Sequence, residues 1–312
     1  MKTAIFYYSQ SGQALDVAKS IATPMTTVVY KEIVPVEPYP FPWDKYIFYD
    51  TFPETRLGMP PSGIEPIDFS DIEDADMVII VGQSWFLSPS LPLQSFFTDA
   101  QVKAYLKGRP VVFVNACRNM WLMTSRKIKD YLSDAGARLV GHIVLQDEAP
   151  NLIGVVTIIR WLVYGKKGAT RILPPAGIAD EDIKNASRFG EILEQTCAEP
   201  VERTCAEPVE STTAQGNLSS LQDRLLEAGA IHYRPSVLFV EKIGHRMFGL
   251  WANFIRKKGG WRDPCRRCRL KMFEIYLMTA LFVVSPFGLL FFYLTYPLRH
   301  IARDRELDIR LS

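Results

Sequence analysis

Two periods alternate along the first 145 residues. Short runs of bulky apolar residues recur at Thr3–Tyr8, Thr27–Ile33, Met77–Val81, Pro110–Asn115 and Arg138–Leu145, and stretches with helical spacing fit between most of them. The runs "MVIIV" and "VVFV" have no polar face, which predicts strands buried between two helical layers of a parallel sheet. The expectation is an α/β domain over residues 1–150, with five parallel strands and helices on both faces.

Between the second and third strands lies "PVEPYPFPWDKYIFYDTFPETRLGMPPSG". It holds too much proline to be one crossover helix, so part of it is predicted to be a lid or binding loop. After the sheet comes an apolar run, Leu152–Tyr164, interrupted by Arg160 and followed by Lys166 and Lys167. It is too short to cross a bilayer of about 30 Å, and its cationic end favours a helix lying in a membrane interface over a buried one. Together with a helix over Asp180–Glu194 it fills 151–195.

An eight-residue unit is then written twice, "TCAEPVERTCAEPVES", from Thr196 to Ser211. Its composition cannot bury a core, and a linker is predicted over 196–216. Leu218–Ala228 and the amphipathic Pro235–Lys258 belong to a basic helical region over 217–271. From Ile275 to Tyr296 there are 22 residues without a formal charge. As a helix they would cover about 33 Å, the thickness of a bilayer core. A membrane segment is therefore predicted over 272–298, either single-pass or, given Pro286 and Gly288, re-entrant, with a charged tail over 299–312. Arg262, Arg266, Arg267, Arg269 and Lys271 precede it, which puts that side, and the α/β domain, on the cytoplasmic face of the inner membrane.

Composition adds a few bounds. The chain has 312 residues, 48% hydrophobic and 22% charged, enough to bury a sizeable core. The net charge of +2 says little, but the stretch from Lys242 to Lys271 is strongly basic and suggests an anionic surface nearby. The five irregularly spaced cysteines exclude an extracellular disulfide framework and fit a reducing compartment, and no secretory leader is expected. Cys265 and Cys268 lack a second ligand pair, and His232, His245 and His300 are scattered, so no metal site is proposed.

Candidate chemistry gathers at the strand ends. Ser9, Gln10, Ser11, Gly12 and Gln13 lie between the first strand and a helix starting near Ala14, where unpartnered helix amides can hold a phosphate. In an open parallel sheet the loops after strands three and four complete such a site. The first of these offers Ser84 or Ser88 for hydrogen bonds and Trp85 and Phe86 for stacking on a flat ring; the second offers Asn115, Arg118, Asn119 and Trp121. FMN fits this set of residues.

The motifs "YYSQSGQ", "YPFPW", "FPET", "WFLSPS", "CRNMW" and "TIIRWLVYGKKG" together resemble the flavodoxin-like family labelled dialkylresorcinol condensing enzymes, over roughly residues 1–170. One departure stands out: Gln13-Ala14 occupies the place where flavodoxin-type phosphate loops usually end in threonine. The resemblance implies a flavodoxin-like fold with bound FMN and, as pathway partners, a ketosynthase and an acyl carrier protein; homo-oligomerisation is left open. It implies oxidation of a lipid-tailed, dialkylated cyclohexane-1,3-dione to a dialkylresorcinol, which removes two electrons and two protons. In that reading Arg118 stabilises the enolate and Asn119 orients it, while Tyr46, Tyr49, Asp50 or Glu54 cover the site or move a proton. The rivals are an NAD(P)H-dependent quinone or enone reductase on the same fold, a flavin-free scaffold docking the ketosynthase and carrier protein, and direct condensation by Cys117 with His142 as base.

Overall fold

The computed structural model describes residues 1–198, 212–284, 287–288 and 294–295. The chain runs β1 (Lys2–Tyr7), α1 (Gln13–Ala22), β2 (Thr27–Glu32), α2 (Lys45–Asp50), α3 (Phe52–Leu57), β3 (Met77–Trp85), β4 (Ser88–Pro89), α4 (Leu91–Thr98), α5 (Ala100–Leu106), β5 (Pro110–Cys117), α6 (Leu122–Asp134) and β6 (Arg138–Gln146). Strand order is β2-β1-β3-β5-β6, every pair parallel, with β4 an antiparallel arm on β3. Leaving out β4, this is the 2-1-3-4-5 order of flavodoxin-like sheets. All five expected strands are present. β3 runs four residues past the expected Val81, so its polar end reaches beyond the sheet before turning back.

Among the described residues eight further elements follow: α7 (Asn151–Tyr164), α8 (Asp180–Asn185), α9 (Ser187–Ala198), α10 (Thr212–Glu227), α11 (Pro235–Arg256), a 3-10 turn (Pro264–Arg266), α12 (Arg267–Thr279) and a π-helical turn (Ala280–Val284). One face of the sheet buries Phe6, Val78 and Ile80 under α4, α5 and α6. The other buries Ile5, Ile79 and Val112 under α1, with Phe189 and Leu193 of α9 and Leu221 and Leu225 of α10. The segment after β6 therefore supplies half of a sheet layer. The helix expected over Asp180–Glu194 is split in two at Ala186. Gly190 explains how closely α9 lies on α1: a Cβ there would fall 1.8 Å from the Ile21 carbonyl oxygen, so only glycine permits the contact.

A third cluster joins α2 and α3 to α11 and α12. Phe52 stacks on Phe273 with ring centroids 3.7 Å apart and planes 8° from parallel. Beside them Arg266 is fully buried, its Nε donating to Asp50 at 2.6 Å and its two terminal nitrogens to Glu54 at 2.7 and 2.9 Å. Arg256 adds a bond to Glu54 at 3.2 Å. Asp50 and Glu54, considered above as proton carriers, are thus committed to holding the C-terminal helices, and Arg266 is a core residue rather than a headgroup cation.

Among the described residues no helix is long and apolar enough to cross a membrane, so the single-pass segment is unsupported. The stretch 275–296 begins on α12, where Leu277 and Met278 face a cavity of the protein and Tyr276 packs 5.0 Å from Trp251, and Leu281 on the π-helical turn that follows lines the same cavity. Its residues 285–286, 289–293 and 296 lie outside the described residues, as do 199–211 of the duplicated linker and the tail beyond 295.

Candidate functional site

A cavity of about 460 Å³ opens at the carboxyl ends of β1, β3 and β5, the end where open parallel sheets hold ligands, and within the size range of cofactor sites. Its walls come from widely separated parts of the sequence: the turn before α1, the β3–β4 arm, the proline-rich insertion through Trp43, Phe48 and Tyr49, the end of β5 with Arg118 and Met120, and helices α7 and α12, with Ile178 and Phe248 between them.

The turn before α1 has one anion-competent feature. Gly12 sits at φ 92 with open space where a Cβ would be, a backbone conformation that glycine adopts without strain. Helix α1 lacks a side-chain N-cap at Gly12. Among the described residues the amides of Gln13 and Ala14 have no acceptor, the Asp16 amide reaches the Gly12 carbonyl, and the Leu15 amide donates to Ser9 Oγ at 3.1 Å. Three of the side chains expected to ligate are engaged elsewhere. Ser9 closes the turn; Gln10 donates to the Pro40 carbonyl at 2.9 Å; and Gln13 clamps Ile178, donating to its carbonyl at 2.7 Å and accepting from its amide at 3.2 Å. Ser11 and the two free amides remain, backed by the positive end of α1.

The β3–β4 arm is built on strain. Trp85 pairs with Ser88 across a two-residue turn in which Phe86 and Leu87 have φ of 47° and 61°. This is the sign pattern of a type I′ turn, normally filled by asparagine and glycine, and bulky residues there cost on the order of 1 kcal/mol or more each. Packing offsets the cost: Phe86 lies 4.9 Å from Phe48 and 5.3 Å from Phe52, and Leu87 joins the cluster of Trp121 and Leu238. Trp85 lines the cavity, held edge-on by Tyr39 and Trp43, each 5.2 Å away, and by Tyr8 at 6.0 Å.

Polar groups at the strand ends are short of partners. Among the described residues Gln83 Nε2 and Asn115 Nδ2 are buried with no hydrogen-bond partner, a costly state that a bound acceptor relieves. Gln83 lines the cavity, and Asn115 lies behind it, accepting from Ser84 Oγ at 3.1 Å. Sequence reasoning passed over Gln83, although a polar residue directly after "VIIVG" was the available signal. Arg118 also lines the cavity; burial lowers its pKa, opposed by the charge of Asp147, and the guanidinium stays cationic. Burial raises Tyr49 to about 12, so its phenol is a neutral donor on the wall. For Glu274, burial acts upward, but the ammonium groups of Lys45 and Lys271 prevail and hold it below the usual carboxylate range.

Two expected ligands lie elsewhere. Trp121, expected to stack on a ring, is buried in the core, edge-on to His142 at 5.7 Å, because Leu238 of α11 covers that side. Asn119 is likewise buried and forms no part of the cavity wall. Nor do Cys117 and His142 meet. They pair across the β5–β6 ladder with Gln146 and Phe113 respectively, about 13 Å apart along the strands. Burial pushes the thiol upward and the imidazole down to about 4, which leaves no thiolate-base pair for condensation.

Helix α7 has two apolar faces. Val155, Ile158, Ile159 and Leu162 line the cavity, while Leu152, Ile153 and Val156 are exposed away from it; Tyr164, at the helix end, is exposed at the cavity rim. A helix expected to lie in an interface is also the roof of the site.

No family model matches the chain, and no curated protein does. Solved structures are similar in part. A flavoprotein from Lactobacillus acidophilus NCFM, in complex with FMN, is 23% identical over 46% of this chain and 92% of its own, with a TM-score of 0.39. A flavodoxin from the domain Archaea is 13% identical over 64% of this chain and 100% of its own, with a TM-score of 0.37. A flavodoxin, WrbA-like protein from Agrobacterium tumefaciens is 11% identical over 62% and 95%, with a TM-score of 0.36. Strand order, not these likenesses, defines the fold.

Proposed function

We propose that the chain is an FMN-dependent oxidoreductase that aromatises a dialkylated cyclohexane-1,3-dione to a dialkylresorcinol. One observation carries the reading: a single cavity combines unpaired helix amides, an orphaned amide donor and an aliphatic roof. The amides of Gln13 and Ala14 with Ser11 suit a phosphate, and Gln83 Nε2 suits the carbonyl edge of a flat heterocycle. When bound, the flavin supplies the two-electron acceptor that side chains lack. Arg118 would stabilise the enolate of the dione, and Tyr49, protonated at neutral pH, can donate to its second oxygen. The aliphatic walls of α7 and α12 suit alkyl tails. Since each tail methylene favours an apolar phase by about 0.8 kcal/mol, the exposed apolar face of α7 and the uncharged stretch 275–296 support attachment to the cytoplasmic face of the inner membrane.

The visible absorption spectrum of gently detergent-extracted protein tests this. Flavin bands are expected, together with conversion of a synthetic dialkylcyclohexanedione. A variant carrying Ser11→Glu and Gly12→Glu should lose both, because two carboxylates would face the phosphate. A colourless protein that takes up no added FMN overturns the proposal in favour of a scaffold. NADPH consumption with a quinone, and no reaction of the dione in air, points to a reductase instead.

A further inference from the structure

A second cavity, about 620 Å³, lies between α3, α6 and α11, on the other side of the β3–β4 arm. Its lining carries Arg56, Arg126, Lys127, Lys242 and Arg246 against a single carboxylate, Asp130. Among the described residues Lys127 and Arg246 form no ion pair within 4 Å, Lys127 lying over the Tyr131 ring at 4.8 Å, and Arg126 is reached by the charge of the buried Glu241. The Arg56 guanidinium is aimed by neutral groups, donating to the His245 carbonyl at 3.0 and 3.1 Å and lying 3.1 Å from His245 Nδ1. His245 itself stays neutral, since burial and the charges of Arg56 and Arg126 lower it to about 4.

A second, independent feature sits in the floor. Gln94 is 1% exposed, and its Nε2 donates to the Thr55 and Pro89 carbonyls at 2.8 and 2.7 Å. Its Oε1 is buried with no partner among the described residues, although Gln94 lines the cavity. A concave surface with this excess of positive charge calls for an anion, and the orphaned acceptor calls for a ligand that also donates. Inorganic phosphate or sulfate meets the first demand alone.

We infer that this cavity binds a hydroxylated phosphate ester, its phosphate held by the arginines of α3, α6 and α11 and its hydroxyl donating to Gln94. Arginine forks suit phosphate oxygens in two-point contacts. Such an ester can be a soluble metabolite or the headgroup of a hydroxylated anionic phospholipid. The site is separate from the cavity at the strand ends and does not depend on what binds there.

The test uses the full chain in mild detergent. Calorimetric titration with glycerol 3-phosphate, methyl phosphate and sulfate should give glycerol 3-phosphate at least tenfold tighter binding than the two ligands that lack its hydroxyls. Affinity should fall at least tenfold in Arg126→Gln with Arg246→Gln, two exposed positions whose replacement leaves the core intact, while the absorption spectrum of the protein is unchanged. Flotation with phosphatidylglycerol and with phosphatidylcholine vesicles separates the sources. Retention on the former only, lost in the double variant and without affinity for glycerol 3-phosphate, assigns the lipid headgroup; glycerol 3-phosphate binding assigns the soluble ester. Equal affinity for sulfate, binding that survives the double variant, or no binding of either source overturns the inference.

Discussion

The sheet and the α11–α12 pair are held by opposite means. The sheet is secured by apolar side chains on both faces, from Ile5 and Ile79 on one to Phe6 and Ile80 on the other; such burial is non-directional and spread over many residues. The helical pair is secured by one aromatic stack and one buried guanidinium shared by two carboxylates. In the second arrangement most of the stability rests on the completeness of the charge set, because an uncompensated buried charge is far more costly than a lost methylene. Failure should therefore be gradual in the sheet and abrupt in the helices.

The largest break is Arg266→Ala. It leaves Asp50 and Glu54 buried with only the partial compensation of Arg256, and a loss of about 3–5 kcal/mol is expected in chemical denaturation. Hydrogen exchange should show α11 and α12 losing protection while β1, β3 and β5 keep theirs; uniform loss would mean that the two regions form one cooperative unit.

A pH series sharpens the comparison with a somewhat smaller effect. Glu241, fully buried on α11, accepts from the amides of Leu122 and Met123 at 3.3 and 2.8 Å, capping α6 from another helix. Burial raises its pKa from 4.5 to about 7. The folded state therefore binds this proton more tightly than the unfolded one. The associated stability is complete below about pH 4.5 and lost as pH rises through about 7, about 3 kcal/mol in total. Denaturation midpoints should fall across that window in the native chain and be flat in Glu241→Gln. The smallest effect is Gly12→Ala, where a Cβ meets nothing but φ is 92. It should cost about 1 kcal/mol of stability by the same measurement, with no change in the pH slope.

These two regions also mark what the sequence made legible. Strands with two apolar faces and a polar turn before α1 announce themselves locally, so β1, β2, β3, β5 and β6 were all readable. So was the convergence of Ser11, Trp85, Phe86 and Arg118 on one cavity, since strand order puts their loops at the same edge. The partnership of Arg266 with Asp50 and Glu54 spans more than 200 residues and leaves no periodic trace. The same holds for Gln13, whose amide is claimed by Ile178, and for Trp121, drawn inward by Leu238 from a helix that no local pattern ties to it. Hydropathy described α7 correctly as apolar but could not say that one side of it roofs a cavity.

The turn at Phe86 and Leu87 anchors one ring beneath the proline-rich insertion and the next side chain between α6 and α11, and the short arm it closes stands as a partition with a chamber on either side. The two left-handed residues keep their shape only because rings and aliphatic groups hold them from either side, so loosening the contacts on one side withdraws part of what offsets the strain in the turn.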